Sequence, residues 1–298
     1  MALRISNSLL YFSSSARSWV PHFPMPSESP SPVCRAHPTQ AFYPSQRCLQ
    51  LISHVFGRGI PDILCLQEVR PEVRATLLGN PEVRDNFLTT GAEPNLEDKH
   101  FATMTLLSKR RFAYDPEADG REDRSKFIIG QAFRQQLPSA TGRDGLCLDV
   151  IPPYGQDTFL RIINVHLESC NAFSYRKEQL KKLASALREP GCMGGLIAGD
   201  FNSVTDEDHK LIGENNLEDA WLELHGNTKP DETWNVGSRR DSRHGPARLD
   251  KVAMMGLVAE SMQLMHPLSI EITRPGGKPG HIQWSDHSGL RCKISFWV

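Results

Sequence analysis

Short stretches of this chain place acids, amides and histidines where an apolar run stops. Glu68 closes DILCLQEV. A carboxylate at the C-terminal end of a strand faces the crevice in which α/β proteins bind ligands, although a single Glu after a strand is equally an ordinary solvated residue. In IAGDFNSV, Gly199 permits a tight exit, Asp200 ends the run, and Asn202 falls on the same side if the chain stays extended. The plainer reading of that pair is a turn built from Asp and Asn. WSDHSGL sets Asp286 beside His287, so both reach one site only from a loop; otherwise the motif is an Asp-capped turn with a surface histidine. His166 interrupts the apolar run of INVHLES. Once buried it requires a partner, and a satisfied core histidine is the simpler account. Asp250 in RLDKV, between Leu249 and Val252, has the same requirement, and a histidine is its natural partner. Trp234 in ETWNV can stack on a base or support the core.

Taken together these groups describe one chemistry. Glu68 and Asp286 can hold a Mg²⁺ ion, which takes few protein oxygens and keeps places for water and phosphate. Asn202 and His166 can contact non-bridging oxygens, and Asp200 can orient or deprotonate water. A His287–Asp250 pair can stabilise charge developing on phosphorus. The sum is metal-assisted hydrolysis of a phosphoester by an activated water.

The elements that must carry these residues are legible in part. With 298 residues, 39% of them hydrophobic, the chain can bury a sizeable core. Its net charge of −1 excludes a protein that coats nucleic acid by charge alone, so any nucleic-acid contact is local. The 7 cysteines form no CxxC pair and no zinc spacing, which reads as reduced thiols in an intracellular protein. No apolar run of about 18 residues suggests a transmembrane span. A helix capped by Ser45 carries Leu49, Ile52, Val55 and Phe56 on one side and ends at Gly57 and Gly59. Strands are expected at 63–66, 101–107, 145–150, 159–167, 196–198, 248–255 and 289–296, and a helix at 175–187. This alternation suits an α/β sandwich of mixed sheets. Residues 21–40 are rich in proline and serine and read as a linker. The first 27 residues, acid-free with serines and two arginines, resemble a mitochondrial transit peptide and equally a disordered tail. The expected organisation is a disordered or targeting segment over 1–42 and a catalytic domain over 43–298.

The ordered set LQEV, HLES, GDFN, TWN with RLD, and SDH resembles the endonuclease/exonuclease/phosphatase superfamily. HLES followed by SYRKEQLKKLASAL, FAT at 101–103 and Arg143 before the next strand look most like its tyrosyl-DNA phosphodiesterase 2 branch. The resemblance implies a four-layer α/β sandwich and a monomeric nuclear enzyme with no membrane association. It would hydrolyse 5′-phosphotyrosyl DNA ends left by topoisomerases, with Mg²⁺ or Mn²⁺. It implies that Glu68 is the metal ligand, with Asp286 and Ser169 lining the site. Asp200 and His287 are then catalytic, Asn202 and His166 meet the phosphate, Asp250 orients His287, and Trp234 and Arg143 contact substrate. Other superfamily activities, such as an abasic-site endonuclease or a deadenylase, or binding without turnover, are the competing readings. One departure stands out. Such enzymes carry an earlier strand ending in a TWN-like motif, whereas this chain reads VCRAHPTQAFYPSQR there. Either Asn7 substitutes across a long insertion, with 3–7 pairing beside 63–66, or the first strand is absent. Absence is the favoured expectation, and with it a weak or inactive enzyme.

Overall fold

Alternating apolar residues build two facing sheets. The computed structural model of the chain describes residues 2–13 (main chain only), 43–91, 102–114, 125–153, 158–227, 231–236, 245–274 and 277–297. In the first sheet β1 (Ala2–Ser13), β2 (Ile63–Val69), β3 (Phe87–Thr89) and β4 (Ala102–Ser108) combine with β12 (Val258–Met265) and β15 (Gly289–Trp297) in the order β12-β15-β1-β2-β4-β3. The second contains β5 (Phe112–Ala113), β6 (Phe127–Gln136), β7 (Asp144–Ile151), β8 (Phe159–His166), β9 (Cys192–Asp200), β10 (Glu218–Asp219) and β11 (Asp250–Met255), in the order β10-β11-β9-β8-β7-β6-β5. A hairpin of β13 (Ser269–Thr273) and β14 (Pro279–Gln283) stands apart.

Period-two alternation sends successive side chains to opposite layers. Ile63 and Cys65 of β2 face Leu160 and Ile162 of β8 in the central core, while Leu64 and Leu66 turn outward. There they meet α1 (Pro44–Phe56) and α2 (Pro71–Gly79). Ile163 and Val165 pack instead on α4 (Phe173–Ala186) and α5 (Asp206–Glu214). The short helices α3 (Pro81–Asn86) and α6 (Ala220–His225) complete the set. The result is the α/β/β/α sandwich expected from the motifs. No helix among the described residues is long and apolar enough to cross a membrane.

The first strand corrects the expectation of absence and the assignment of all of 1–42 to a segment outside the fold. β1 lies between β15 and β2: Leu9 to Ser13 pair in parallel with Ile63 to Gln67, and Ala2 to Ile5 pair antiparallel with Trp297 to Ile294. The backbone groups of β2 therefore have a neighbour on both sides, as an interior strand requires. Asn7 does not substitute for the missing motif. It sits six residues before Ser13, the partner of Gln67, which at ~3.3 Å per residue is about 20 Å down the strand. The segment 21–40 lies outside the described residues.

Smaller corrections have local causes. Tyr43, not Ser45, is the N-cap of α1 and makes no side-chain cap bond; Pro44 starts the helix. Leu49 is exposed, and Arg47, Cys48 and Leu51 take the buried face with Ile52, Val55 and Phe56. The strand expected at 196–198 runs from Cys192, because Gly194, Gly195 and Gly199 let β9 lie against its neighbours. A Cβ at Gly199 would fall 2.0 Å from the Val165 carbonyl oxygen.

A polar bridge spans the sheets at one end of this core. The Asn164 Oδ1 accepts from Gln67 Nε2 at 2.5 Å. Its Nδ2 donates to the Leu66 and Met104 carbonyls at 3.3 and 3.0 Å and to Thr105 Oγ1 at 3.2 Å. Both amides are fully buried. Asn164→Ala should cost about 1–3 kcal/mol in urea denaturation, because it strands buried partners without removing their desolvation. The double change to Leu at Gln67 and Asn164 should cost less than the sum of the single changes. Additive losses would show that the bridge is not a coupled unit.

Candidate active site

Register brings the first site residues into a row. His166 pairs with Asp200 across β8 and β9, and Asp200 pairs with Asp250 across β9 and β11. Three strands thus offer an imidazole and two carboxylates side by side at the edge of the second sheet. His166 Nε2 lies 3.5 Å from Asp200 Oδ2, and its Nδ1 lies 3.8 Å from Glu68 Oε1 on the facing sheet. His287 Nδ1 lies 2.8 Å from Asp250 Oδ2. Ligand atoms of Asp200, Asp250 and His287 all fall within 4.8 Å of one another.

Local backbone geometry aims two of these side chains. Glu68 has φ 53 and Asn202 has φ 49, both in the left-handed region that non-glycine residues seldom occupy. The β2–β4 register slips between Leu66 and Val69, with Glu68 inside the irregularity; such bulges re-aim a side chain at a strand end. Asn202 is held by its own backbone N–H on Asp200 Oδ1 at 2.8 Å and by Nδ2 on the Leu167 carbonyl at 3.0 Å. The last two residues come on a loop pinned by TWN. Thr233 Oγ1 accepts from the N–H groups of Leu249 and Asp250, and its carbonyl accepts from Ser288 N–H. Trp234 bridges to His287 through its main chain, and the Asp286 carbonyl accepts from Asn235 N–H. Glu68, His166, Asp200, Asn202, Asp250 and His287 therefore converge at one end of the sandwich although they span most of the chain.

The endonuclease/exonuclease/phosphatase family model matches residues 40–287. The chain belongs to that family. No curated protein matches it at a significant level. Among solved structures, a D. rerio TDP2 humanized by 14 mutations superposes with TM-score 0.66 at 18% identity, covering 97% of this chain and 99% of that one. D. rerio TDP2 complexed with single strand DNA product gives 0.61 at 21%, covering 84% and 92%. The human nocturnin catalytic domain with bound sulfate gives 0.56 at 19%, covering 85% and 86%. These likenesses establish the fold of this family member.

Electrostatics explain why so many acids tolerate burial. Burial first, and the neighbouring Asp250 charge second, push Asp200 up to about 7; His287 and the Asn202 N–H act the other way. Burial works against a charged His287, but the charge and hydrogen bond of Asp250, with Asp286 and Asp200 behind them, push it up to about 10. With Nδ1 held by Asp250 at 2.8 Å, His287 is set as a hydrogen-bond donor. The hard oxygens for a divalent cation are then those of the carboxylates, with Glu68 and Asp286 the candidates that the His287–Asp250 pair leaves over. The residues fit such an ion. Glu68, Asp200 and Asp250 are buried together, and Asp250 Oδ1 has no hydrogen-bond partner among the described residues.

The other expected residues lie on connecting loops. Ser169 and Asp286 are half-buried on the loops after β8 and before β15, and Arg143 precedes β7. Several residues escaped the sequence reading. Arg47 is buried on α1, donates to the Trp284 carbonyl at 3.0 Å and feels the charges of Asp286 and Glu68. Its signal was a base on the apolar face of a helix. Asn164 stands two residues before His166, hence on the same face of β8, and was readable as a polar residue in an apolar strand. Thr233 and Gln67 gave no local signal of their long-range bonds.

These shifts set a pH dependence for protein held in chelator. His287 has its folded pKa raised from 6.5 to about 10, so its stabilisation is full below about 6.5 and is lost as pH rises through about 10. Asp200, raised from 3.8 to about 7, favours the folded state below about 3.8 and loses that as pH passes about 7. Melting temperature should therefore fall from near-neutral to alkaline pH, and Asp250→Asn should remove most of the alkaline part. A flat profile over that range in the parent protein would contradict the assignment.

Proposed function

We propose that this protein is a divalent-cation-dependent phosphodiesterase that releases tyrosine from 5′-phosphotyrosyl DNA ends. The observation that carries the reading is the convergence of Glu68, His166, Asp200, Asn202, Asp250 and His287 on one cleft. The likeness to TDP2 structures, one of them crystallised with single strand DNA product, favours a DNA end over a small phosphate ester.

Mg²⁺ or Mn²⁺ held by Glu68 and Asp286 would supply Lewis-acid neutralisation of the phosphate. The chain supplies the rest. Asp200, with a pKa near neutrality, accepts the proton of the attacking water, the range in which a general base is most effective. Asp250 fixes His287 through Nδ1, which leaves Nε2 for a non-bridging oxygen. The imidazolium then meets the charge that grows on the phosphoryl group in the transition state. His166, between Glu68 and Asp200, and Asn202 orient the same oxygens. Ser169, Arg143 and Trp234 are proposed to meet substrate beyond the reacting phosphate.

Hydrolysis of a 5′-phosphotyrosyl oligonucleotide should stop in excess chelator and return with Mg²⁺ or Mn²⁺. Glu68→Gln and His287→Ala should each lose about 10²–10³ in kcat. Full turnover in chelator would sink the proposal.

The end of β1 bears on rate. It closes on Phe12 and Ser13, followed in the sequence by Ser14 and Ser15, with no asparagine where the first strand of the enzymes it resembles ends in a TWN-like motif. We infer that this lost donor lowers turnover by about 10²–10³. Asparagine introduced singly at each of the three serines should raise kcat at one of them; no gain at any would show that the motif is dispensable here.

A further inference from the structure

A buried carboxylate outside the reacting centre is wired to a loop at its rim. Glu168 follows His166 by two residues and is 3% exposed. Its Oε2 accepts from Ser139 Oγ at 2.5 Å and from Ala140 N–H at 3.1 Å, and its Oε1 accepts from Thr141 Oγ1 at 2.7 Å. Ser139 Oγ in turn accepts from the N–H groups of Thr141 and Arg143 at 3.0 and 2.9 Å. Gln179 of α4 closes the circuit, accepting from Glu168 N–H at 2.9 Å and donating to the Pro138 carbonyl at 2.8 Å. The β6–β7 connection around 137–143 is thereby tied to the main chain just beyond His166. Since Gly145 pairs with Val165, that connection stands at the same sheet edge as His166 and Asp200.

Three hydrogen bonds converge on this one carboxyl group, and they come from a turn with no regular structure of its own. Without them the turn SATGR keeps only its internal bonds and the hold of Gln179 on Pro138, and loops so held are more mobile than the strands they join. The pattern resembles the outer support that holds a ligand-contacting group within a fraction of an ångström.

We propose that Glu168 is a positioning residue that locks residues 138–143 into a rigid lip of the cleft, and that this lip grips the nucleic-acid strand beside the scissile phosphate. The inference rests on the phosphodiesterase reading for its substrate class. The lip engages the strand and not the reacting atoms, so its loss weakens binding while leaving the chemical step largely intact.

The test uses the full chain and three measurements. Glu168→Ala should raise KM for a 5′-phosphotyrosyl oligonucleotide about tenfold while kcat changes less than about threefold, the signature of lost uniform binding. Glu168→Gln keeps an acceptor for Ala140 N–H and should restore KM. Backbone hydrogen exchange at Ala140, Thr141 and Arg143 should quicken in Glu168→Ala and not in Glu168→Gln. Affinity for a fluorescent single-stranded oligonucleotide in excess chelator should fall with it. If Glu168→Ala does not fold, Ser139→Ala with Thr141→Val removes the two side-chain bonds to the carboxylate from the other side and leaves only that from Ala140 N–H. A parent protein that binds the oligonucleotide but does not cleave it defeats the proposed activity and leaves the lip supported by the binding and exchange data. A loss in kcat at unchanged KM, unchanged exchange in the loop, or no oligonucleotide binding by the parent protein overturns the lip.

Discussion

Two sheets that meet only through apolar side chains can slide, and a site built across their edges would slide with them. Asn164 removes that freedom. It stands on β8, two residues before His166, and reaches the facing sheet where the β2–β4 register slips. The carbonyls of Leu66 and Met104 accept its amide, and Gln67 donates to its oxygen. The same irregularity turns Glu68 into a left-handed conformation. One buried amide thus satisfies the backbone that the bulge leaves open and fixes the carboxylate of one sheet against the imidazole of the other. Such a network is worth having only when every member is paired, because the low dielectric that strengthens each bond also magnifies any orphan.

Around this fixed point the site stores charge. Glu68, Asp200 and Asp250 are buried within reach of each other, an arrangement that costs stability unless something neutralises it. Part of the answer is internal: His287 is held protonated by Asp250, and Arg47 stands near Glu68 and Asp286. The remaining negative charge suits a divalent cation, so the same repulsion that weakens the ion-free fold supplies the driving force for ion binding. Positive φ at Glu68 and Asn202 adds backbone strain at the same place, where packing must over-determine it.

Support for the rim comes from α4. Arg176 forms a two-pronged ion pair with Asp208 of α5 and donates to the carbonyls of Glu168 and Cys170. Asp208 caps α5 through Thr205 and Val204, just after Asn202. Gln179, one helical turn from Arg176, holds the Pro138 carbonyl and Glu168 N–H. Three loops that border the cleft therefore hang from one helix face, and α4 acts as their common mount.

The identities of the strand-end residues and the layer each strand prefers are legible in the amino-acid order alone. Those signals are local: an apolar run, its period, and a polar residue where it stops. That is why LQEV, HLES, GDFN and SDH were readable, and why the α/β sandwich followed from them. Leu49 was misassigned because helical period alone does not fix which face is buried, and Arg47 was passed over because a base on that face needs partners from loops more than two hundred residues away. Long-range pairing alone sets residues 2–13 beside β2, across an intervening stretch of about fifty residues. Strand pairing is written in backbone groups that every residue carries alike, so nothing in Leu9–Ser13 names Ile63–Gln67 as its partner. The grip of Glu168 on Ser139 and Thr141 was decided by the tertiary structure too, since a carboxylate's donors are fixed by which loops the closed sheet brings to it.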